Sequence, residues 1–218
     1  SAPGRQDVRS VIGVVRHILG AAFPVHRLDE DTSGLMMVAL TEECKLRIKE
    51  TLFNHRVERG YLALVSGRFP DTPFTVRTRL VRNRGDGLRG SGRDEDDDGA
   101  REAITHLVLR ERIGNLYSLV EARLETGRTH QVRIHLSEKG YPILGDRLYA
   151  PPGAARLSPR TALHAFRLGI AHPFTGEVLS FEAPLADDLE ALRRRLMPGG
   201  RGFQGPLHRR KSVMKKRT

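Results

Sequence analysis

Apolar residues Val8, Val11, Ile12, Val15, Ile18 and Leu19 recur three and four positions apart, which predicts an amphipathic helix over residues 7–19. Pro24 closes that region. Residues 26–34 form a polar turn, and the apolar run at 35–40 predicts a buried strand. Thr41 is placed to cap a second helix reaching about residue 54, with Glu42 and Glu43 favourable to its dipole. Short strands are predicted at 61–65 and 75–81, and alternation of apolar and polar positions predicts two more at 103–109 and 116–124. Residues 129–139 predict a helix capped by Thr129 and ended by Gly140. Two further strands are expected at 162–170 and 178–183.

Two stretches break the pattern. Residues 83–100 carry five glycines and the run Asp94-Glu95-Asp96-Asp97-Asp98, and predict a flexible surface insertion. Consecutive like charges mark a solvated loop rather than a metal site. From Arg201 onward there are seven Lys or Arg and no acid, which predicts a disordered basic tail. Residues 1–196 are therefore expected to form one domain, followed by a tail at 197–218. Many short strands with few interspersed helices predict the α+β class: a mixed, largely antiparallel central sheet flanked by helices.

A chain of 218 residues can bury one sizeable core. The net charge of +11 and pI of about 10.6 change the picture more, because a strongly basic protein commonly has a polyanionic partner. Nucleic acid is favoured over charge kept for solubility alone. Trp is absent and aromatics make up 6%, which argues against a broad stacking platform for single strands. The lone Cys44 excludes an internal disulfide and fits a reducing, cytoplasmic setting. No apolar run approaches the length of a membrane span, and neither membrane association nor a secretory leader is expected. The chain starts at Ser1 rather than Met, as a fragment or trimmed chain would.

Two polar clusters are candidates for chemistry. In the first, His26-Arg27-Leu28-Asp29 precedes Thr32-Ser33-Gly34. A carboxylate on a loop between regular elements can serve as nucleophile or general base, or it can simply satisfy the donors of a turn. In the second, Gly127-Arg128-Thr129-His130-Gln131-Val132-Arg133 places Arg133 about one turn into the predicted helix. There it can reach a carboxylate or face solvent. Other chemistries fit poorly. His130 and His135 are five apart, not the three or four that align metal ligands on a helix, and no metal is expected. Neither a GxxxxGK[ST] nor a GxGxxG phosphate loop occurs, nor a GxSxG nucleophile elbow.

The segment His26-Arg27-Leu28-Asp29-x-x-Thr32-Ser33-Gly34-Leu35 resembles the active-site motif of the RluA family of RNA pseudouridine synthases. Val57-Glu58-Arg59-Gly60-Tyr61-Leu62-Ala63-Leu64-Val65 resembles that family's tyrosine motif, and residues 127–135 its arginine motif. Residues 142–149 and Leu163-His164-Ala165 resemble its C-terminal signatures. The resemblance covers roughly residues 1–186. It departs from the pattern in lacking the Lys-Pro strand that precedes the motif, in the acidic insertion and basic tail, and in Gly60, where a basic or polar residue is usual.

The resemblance implies a cofactor-free isomerisation of uridine in structured RNA, of the ribosomal or transfer RNA stem-loop kind, by a monomer. Asp29 would be the catalytic nucleophile. Arg133 would pair with its carboxylate, holding it charged and oriented. Tyr61 would stack on uracil and help remove the proton from carbon 5. His26, Arg27, Arg128 and His130 would contact RNA, with Arg27 filling the stack the uridine leaves. The alternatives from other classes are a non-catalytic RNA-binding module and a glycosidase that releases uracil.

Overall fold

A computed structural model describes residues 10–92 and 99–199. Its elements, in chain order, are α1 (Val11–Leu19), β1 (Phe23–Pro24), β2 (Ser33–Gly34), β3 (Val38–Ala39), α2 (Glu42–Phe53), β4 (Glu58–Ser66), β5 (Phe74–Val81), β6 (Gly90–Ser91), β7 (Arg101–Ile113), β8 (Tyr117–Leu124), α3 (Gln131–Glu138), α4 (Pro152–Ala155), β9 (Leu163–Ala171), β10 (Val178–Glu182) and α5 (Asp187–Leu196). Eight of the strands form one sheet, ordered β10-β9-β4-β8-β7-β5-β6, with β2 pairing β9 in parallel and every other pairing antiparallel. β1 and β3 form a separate two-stranded ribbon. This is the α+β architecture expected from the sequence.

The main core lies where α3 and α5 pack with the central strands. It includes Leu64, Val65, Phe69, Leu107, Val120, Leu136 and Leu189, all nearly inaccessible to water. Burial of such side chains contributes roughly 1.5–3 kcal/mol each against full exposure. A smaller cluster, including Val25, Ala39, Ile48 and Val57, fastens α2 and the β1–β3 ribbon to β9.

Several boundaries move for identifiable reasons. α1 starts at Val11, capped by the Ser10 hydroxyl, which accepts from Gly13 N; residues 7–9 lie outside the described region. Its apolar stripe is not buried as amphipathicity suggests: Val11 and Ile18 are 62% and 70% exposed. The strand expected at 35–40 shrinks to Val38–Ala39, which pairs with β1, while residues 33–34 pair with β9. Thr41 caps α2 as expected. The predicted flexible insertion is partly ordered: Asn83 Oδ1 accepts from Gly85 N and Gly87 N, and β6 pairs with Leu80 and Val81. The acidic run at 94–98 and residues 200–218 of the predicted tail fall outside the described residues. α4 and α5 had no sequence prediction.

Candidate active site

The loop carrying Asp29 runs from β1 to β2 and is fixed from several sides. Thr32 N donates to Asp29 O at 2.9 Å, closing the turn. Gly34 adopts φ +110°, and a Cβ there would overlap the Ala165 carbonyl, so only glycine lets β2 lie against β9. Leu35 N donates to Ala165 O at 2.8 Å. Ser33 Oγ meets His164 Nδ1 at 2.9 Å, and Arg160 donates to Asp31 O and Ser33 Oγ at 2.9 and 3.1 Å. Arg160 is itself held by Asp188 of α5 at 2.6 and 2.8 Å. His26 Nε2 accepts from Met37 N at 2.9 Å, and burial followed by nearby Arg59 lowers its pKa, so the ring acts as a neutral strut.

Tyr61 reaches the site from β4. Its register against β9 shifts between Gly60 and Tyr61, where Phe166 is the extra residue of a bulge. Bulges commonly re-aim side chains beside active sites. Any Cβ at position 60 would press on the Phe166 ring, which explains a glycine where the resembling family has a larger residue. Burial raises the Tyr61 pKa; Arg59 opposes this and Asp29 adds to it, so the side chain is a neutral phenol at physiological pH.

α3 supplies Arg133, but its start differs from expectation. His130, not Thr129, is the N-cap residue, at φ 60° and without a side-chain cap. The turn before it is organised by Gln131, which accepts from Thr126 Oγ1 and Arg128 N and donates to Ile104 O and Thr105 Oγ1. Such a fully satisfied buried amide holds the loop rigidly.

Besides the expected ion pair with Asp29, Arg133 has a second and closer carboxylate partner. Its Nε and Nη2 donate to Asp146 at 2.7 Å each, the fork geometry that guanidinium and carboxylate favour. Nη1 lies 3.6 Å from Asp29 Oδ2, an ion pair longer than a hydrogen bond. Asp146 is 1% exposed and also accepts from Leu148 N and Tyr149 N. Although burial opposes it, bonding to Asp146 holds the Arg133 pKa above its usual range. Arg133 therefore stands as a fixed cation behind Asp29, steadied by Asp146 and by the Tyr149 ring 5.2 Å away. His130 completes the surround: Nδ1 meets Tyr149 Oη at 2.9 Å and Nε2 lies 3.9 Å from Asp29 Oδ1. Burial lowers the His130 pKa, with Asp29 opposing.

Six of the seven residues singled out from sequence, Asp29, Tyr61, His26, Arg27, Arg128 and His130, line one cleft of about 760 Å³. Arg133 lies behind Asp29. The Arg27 side chain is exposed at the cleft and makes no hydrogen bond or ion pair recorded among the described residues. Two residues escaped the sequence reading. Asp146 lies in the signature at 142–149 but is joined to Arg133 only by the tertiary fold. Arg59 was visible: it precedes Tyr61 by two on one strand, and so shares its face. Among the described residues, no group of three or more His, Cys, Asp or Glu side chains is arranged to hold a metal. No described helix is long and apolar enough to cross a membrane.

The geometry combines a partly sheltered carboxylate, a buried cation behind it and an aromatic wall, in a cleft rimmed by positive charge. Comparisons with known proteins agree with it. The family model described as RNA pseudouridylate synthase matches residues 19–138. An uncharacterized RNA pseudouridine synthase of Synechocystis sp. is 39% identical over 199 residues, covering 87% of this chain and 60% of the relative. The ribosomal large subunit pseudouridine synthase D of Xanthomonas campestris is 41% identical over 185 residues, covering 77% of this chain and 53% of the relative. The chain thus spans between about half and two thirds of the length of such curated relatives. Among solved structures, human RNA Pseudouridylate Synthase Domain Containing 1 superposes with a TM-score of 0.71 at 29% identity, over 83% of this chain and 75% of that one. On the match of its sequence and its fold, the chain belongs to the RNA pseudouridylate synthase family.

Proposed function

We propose that the chain isomerises uridine to pseudouridine in structured RNA without a cofactor, with Asp29 as nucleophile. The supporting observation is the placement of the Asp29 carboxylate on a braced loop, 3.6 Å from the Arg133 guanidinium and in the same cleft as Tyr61. In the reaction the bond from ribose C1′ to uracil N1 breaks and one from C1′ to C5 forms. The C5 proton departs, and N1 gains one, so atoms balance without any co-reactant. The target base leaves its stack to enter the cleft, at a cost of a few kcal/mol. Asp29 supports glycosidic cleavage by covalent attack. Arg133 keeps the carboxylate in place and offsets its charge. Tyr61 provides a stacking face for uracil. As a neutral phenol it accepts the C5 proton only while passing on its own, so it acts as a relay.

Several relatives are named ribosomal large subunit pseudouridine synthase D, and large-subunit ribosomal RNA is the substrate class we favour here, with transfer RNA stem-loops next. Such a substrate fits the cytoplasmic setting expected from the lone cysteine. Release of tritium from transcripts labelled at uridine C5 tests the reading. The wild-type chain should release tritium and leave pseudouridine in the RNA, whereas Asp29→Asn should do neither. Free uracil in place of pseudouridine would make the chain a glycosidase. RNA binding with no release would leave it a binding module.

A further inference from the structure

Arg59 is a sheltered cation of the cleft without a carboxylate partner among the described residues. Its guanidinium makes one described hydrogen bond, from Nη2 to the Glu125 carbonyl at 2.9 Å. Its Nε is buried without an acceptor, and among the described residues it has no ion pair. The groups it senses are Tyr61 and a second cation, Arg128, and burial is the main cause lowering its pKa. A sheltered cation normally has a carboxylate beside it, because desolvation of an unpaired charge is costly.

The Glu125 carbonyl and the Gly127 backbone nonetheless lie against it. The guanidinium lies across the Gly127 backbone so closely that a Cβ at that position would overlap Nη1. Gly127 has no positive φ, so a side chain there would meet the end of the Arg59 side chain and not a strained backbone. His55 Nδ1 meets the same Glu125 carbonyl at 2.8 Å, and Lys49, His55 and Arg128 line the cleft with it. The fold thus keeps an unpaired, fork-shaped donor beside the residues that handle uracil, within a ring of further cations and with no acid close by among those that line the cleft except Asp29.

We propose that Arg59 is a phosphate subsite: it binds the RNA phosphodiester adjoining the flipped uridine, and so fixes the nucleotide while its base turns. A phosphate supplies the missing countercharge and matches the planar guanidinium fork. This rests on the reading of the cleft as an RNA site. The experiment is therefore a binding measurement, separate from turnover.

An unmodified transcript of large-subunit ribosomal RNA serves as probe, with affinity measured by filter binding across a range of KCl concentrations. Arg59→Gln should weaken binding at least tenfold and reduce the log–log salt slope by about 0.7–0.9, the value of one phosphate contact. Arg59→Lys should keep most of the slope. Gly127→Ala, which retains every charge but displaces the guanidinium, should weaken binding as Arg59→Gln does; it also covers the case in which Arg59→Gln does not fold. Binding within twofold of wild type and an unchanged slope in Arg59→Gln and Gly127→Ala would overturn the subsite while leaving the RNA reading intact. Equal losses in Arg59→Gln and Arg59→Lys at unchanged slope would overturn it too, since shape rather than charge would then matter. A wild-type chain that does not bind the transcript would overturn both readings.

Discussion

Asp146→Asn and Asp29→Asn are near-isosteric changes of the carboxylates that face Arg133, and the structure predicts opposite balances of stability and activity for them. Asp146 is 1% exposed and takes two charge-assisted hydrogen bonds from Arg133 together with two backbone N–H groups. An amide there turns one acceptor into a donor facing donors, and leaves the guanidinium without its close countercharge. Removing one partner of such a buried pair costs about 3–5 kcal/mol. In a domain of this size that lowers Tm by roughly 6–20 °C, taking about 2–4 °C per kcal/mol. Asp29 is 16% exposed, and its contacts with Arg133 and His130 are 3.6 and 3.9 Å, too long for hydrogen bonds. Its neutralisation should cost below about 1 kcal/mol. Calorimetry and tritium release at a temperature where both variants are folded read the two effects. Asp29→Asn should keep its Tm within about 4 °C and lose turnover; Asp146→Asn should be clearly destabilised and at least tenfold slower, because Arg133 is no longer held in place. Should Asp29→Asn be as destabilised as Asp146→Asn, or Asp146→Asn melt with the wild type, the assignment of Asp146 as the anchor of Arg133 is wrong.

Tyr61→Phe should retain RNA affinity but slow product formation at least tenfold, since the ring still stacks and the proton relay is gone; turnover near wild type would confine Tyr61 to stacking. Arg27→Lys should lose most activity on a folded stem-loop and recover part of it when the target uridine is already unstacked, because lysine keeps the charge but cannot stack as a plane. Normal activity on the folded stem-loop would make Arg27 a phosphate contact. Burial lowers the His135 pKa to about 4, so as pH falls the unfolded chain binds the proton first. Its contribution is complete above pH 6.5 and is lost, by up to about 3 kcal/mol, as pH drops from 6.5 towards 4. Urea midpoints at pH 7 and 5 should differ in the wild type and converge in His135→Gln; an equal drop in both would trace the effect to another group.

The sequence is most legible where local rules act alone. Thr41 capping α2 and the glycine ending α3 depend on neighbours in sequence, and each appears in the structure where it was predicted; β7 and β8 form too, but they bury consecutive residues rather than alternate ones, and β7 extends to Arg101–Ile113. Misses occur where tertiary contacts override the local pattern. Thr129 is a good capping residue by type, yet Gln131 organises that turn through Ile104 and Thr105, more than twenty residues away. Residues 35–40 read as one strand, but residues 33–34 pair with β9 and residues 38–39 with β1, so the segment is divided between two partners. At the site, Asp29, Tyr61 and Arg133 were recognisable through their motifs. The additional pairing of Arg133 with Asp146 was not, since only the fold brings Asp146 to it.

The bracing of the Asp29 loop bears on how the base reaches it. Asp31 O and Ser33 Oγ are held by Arg160, which α5 anchors through Asp188, while Gly34 and Leu35 are fastened to β9. Moving the carboxylate towards a stacked uridine would break several of these bonds at once, at about 0.5–1.5 kcal/mol each and more for the charged pair. Extruding the base costs only a few kcal/mol, and contacts in the cleft offset it. The cheaper motion therefore belongs to the RNA, with the protein as a fixed template. On that basis, weakening the brace by Asp188→Asn should lower kcat while leaving KM for RNA near wild type, since the cleft's cations are untouched and only the aim of Asp29 is loosened. A rise in KM at unchanged kcat would show instead that the brace shapes the RNA-binding surface, and that the loop is not the part whose rigidity matters.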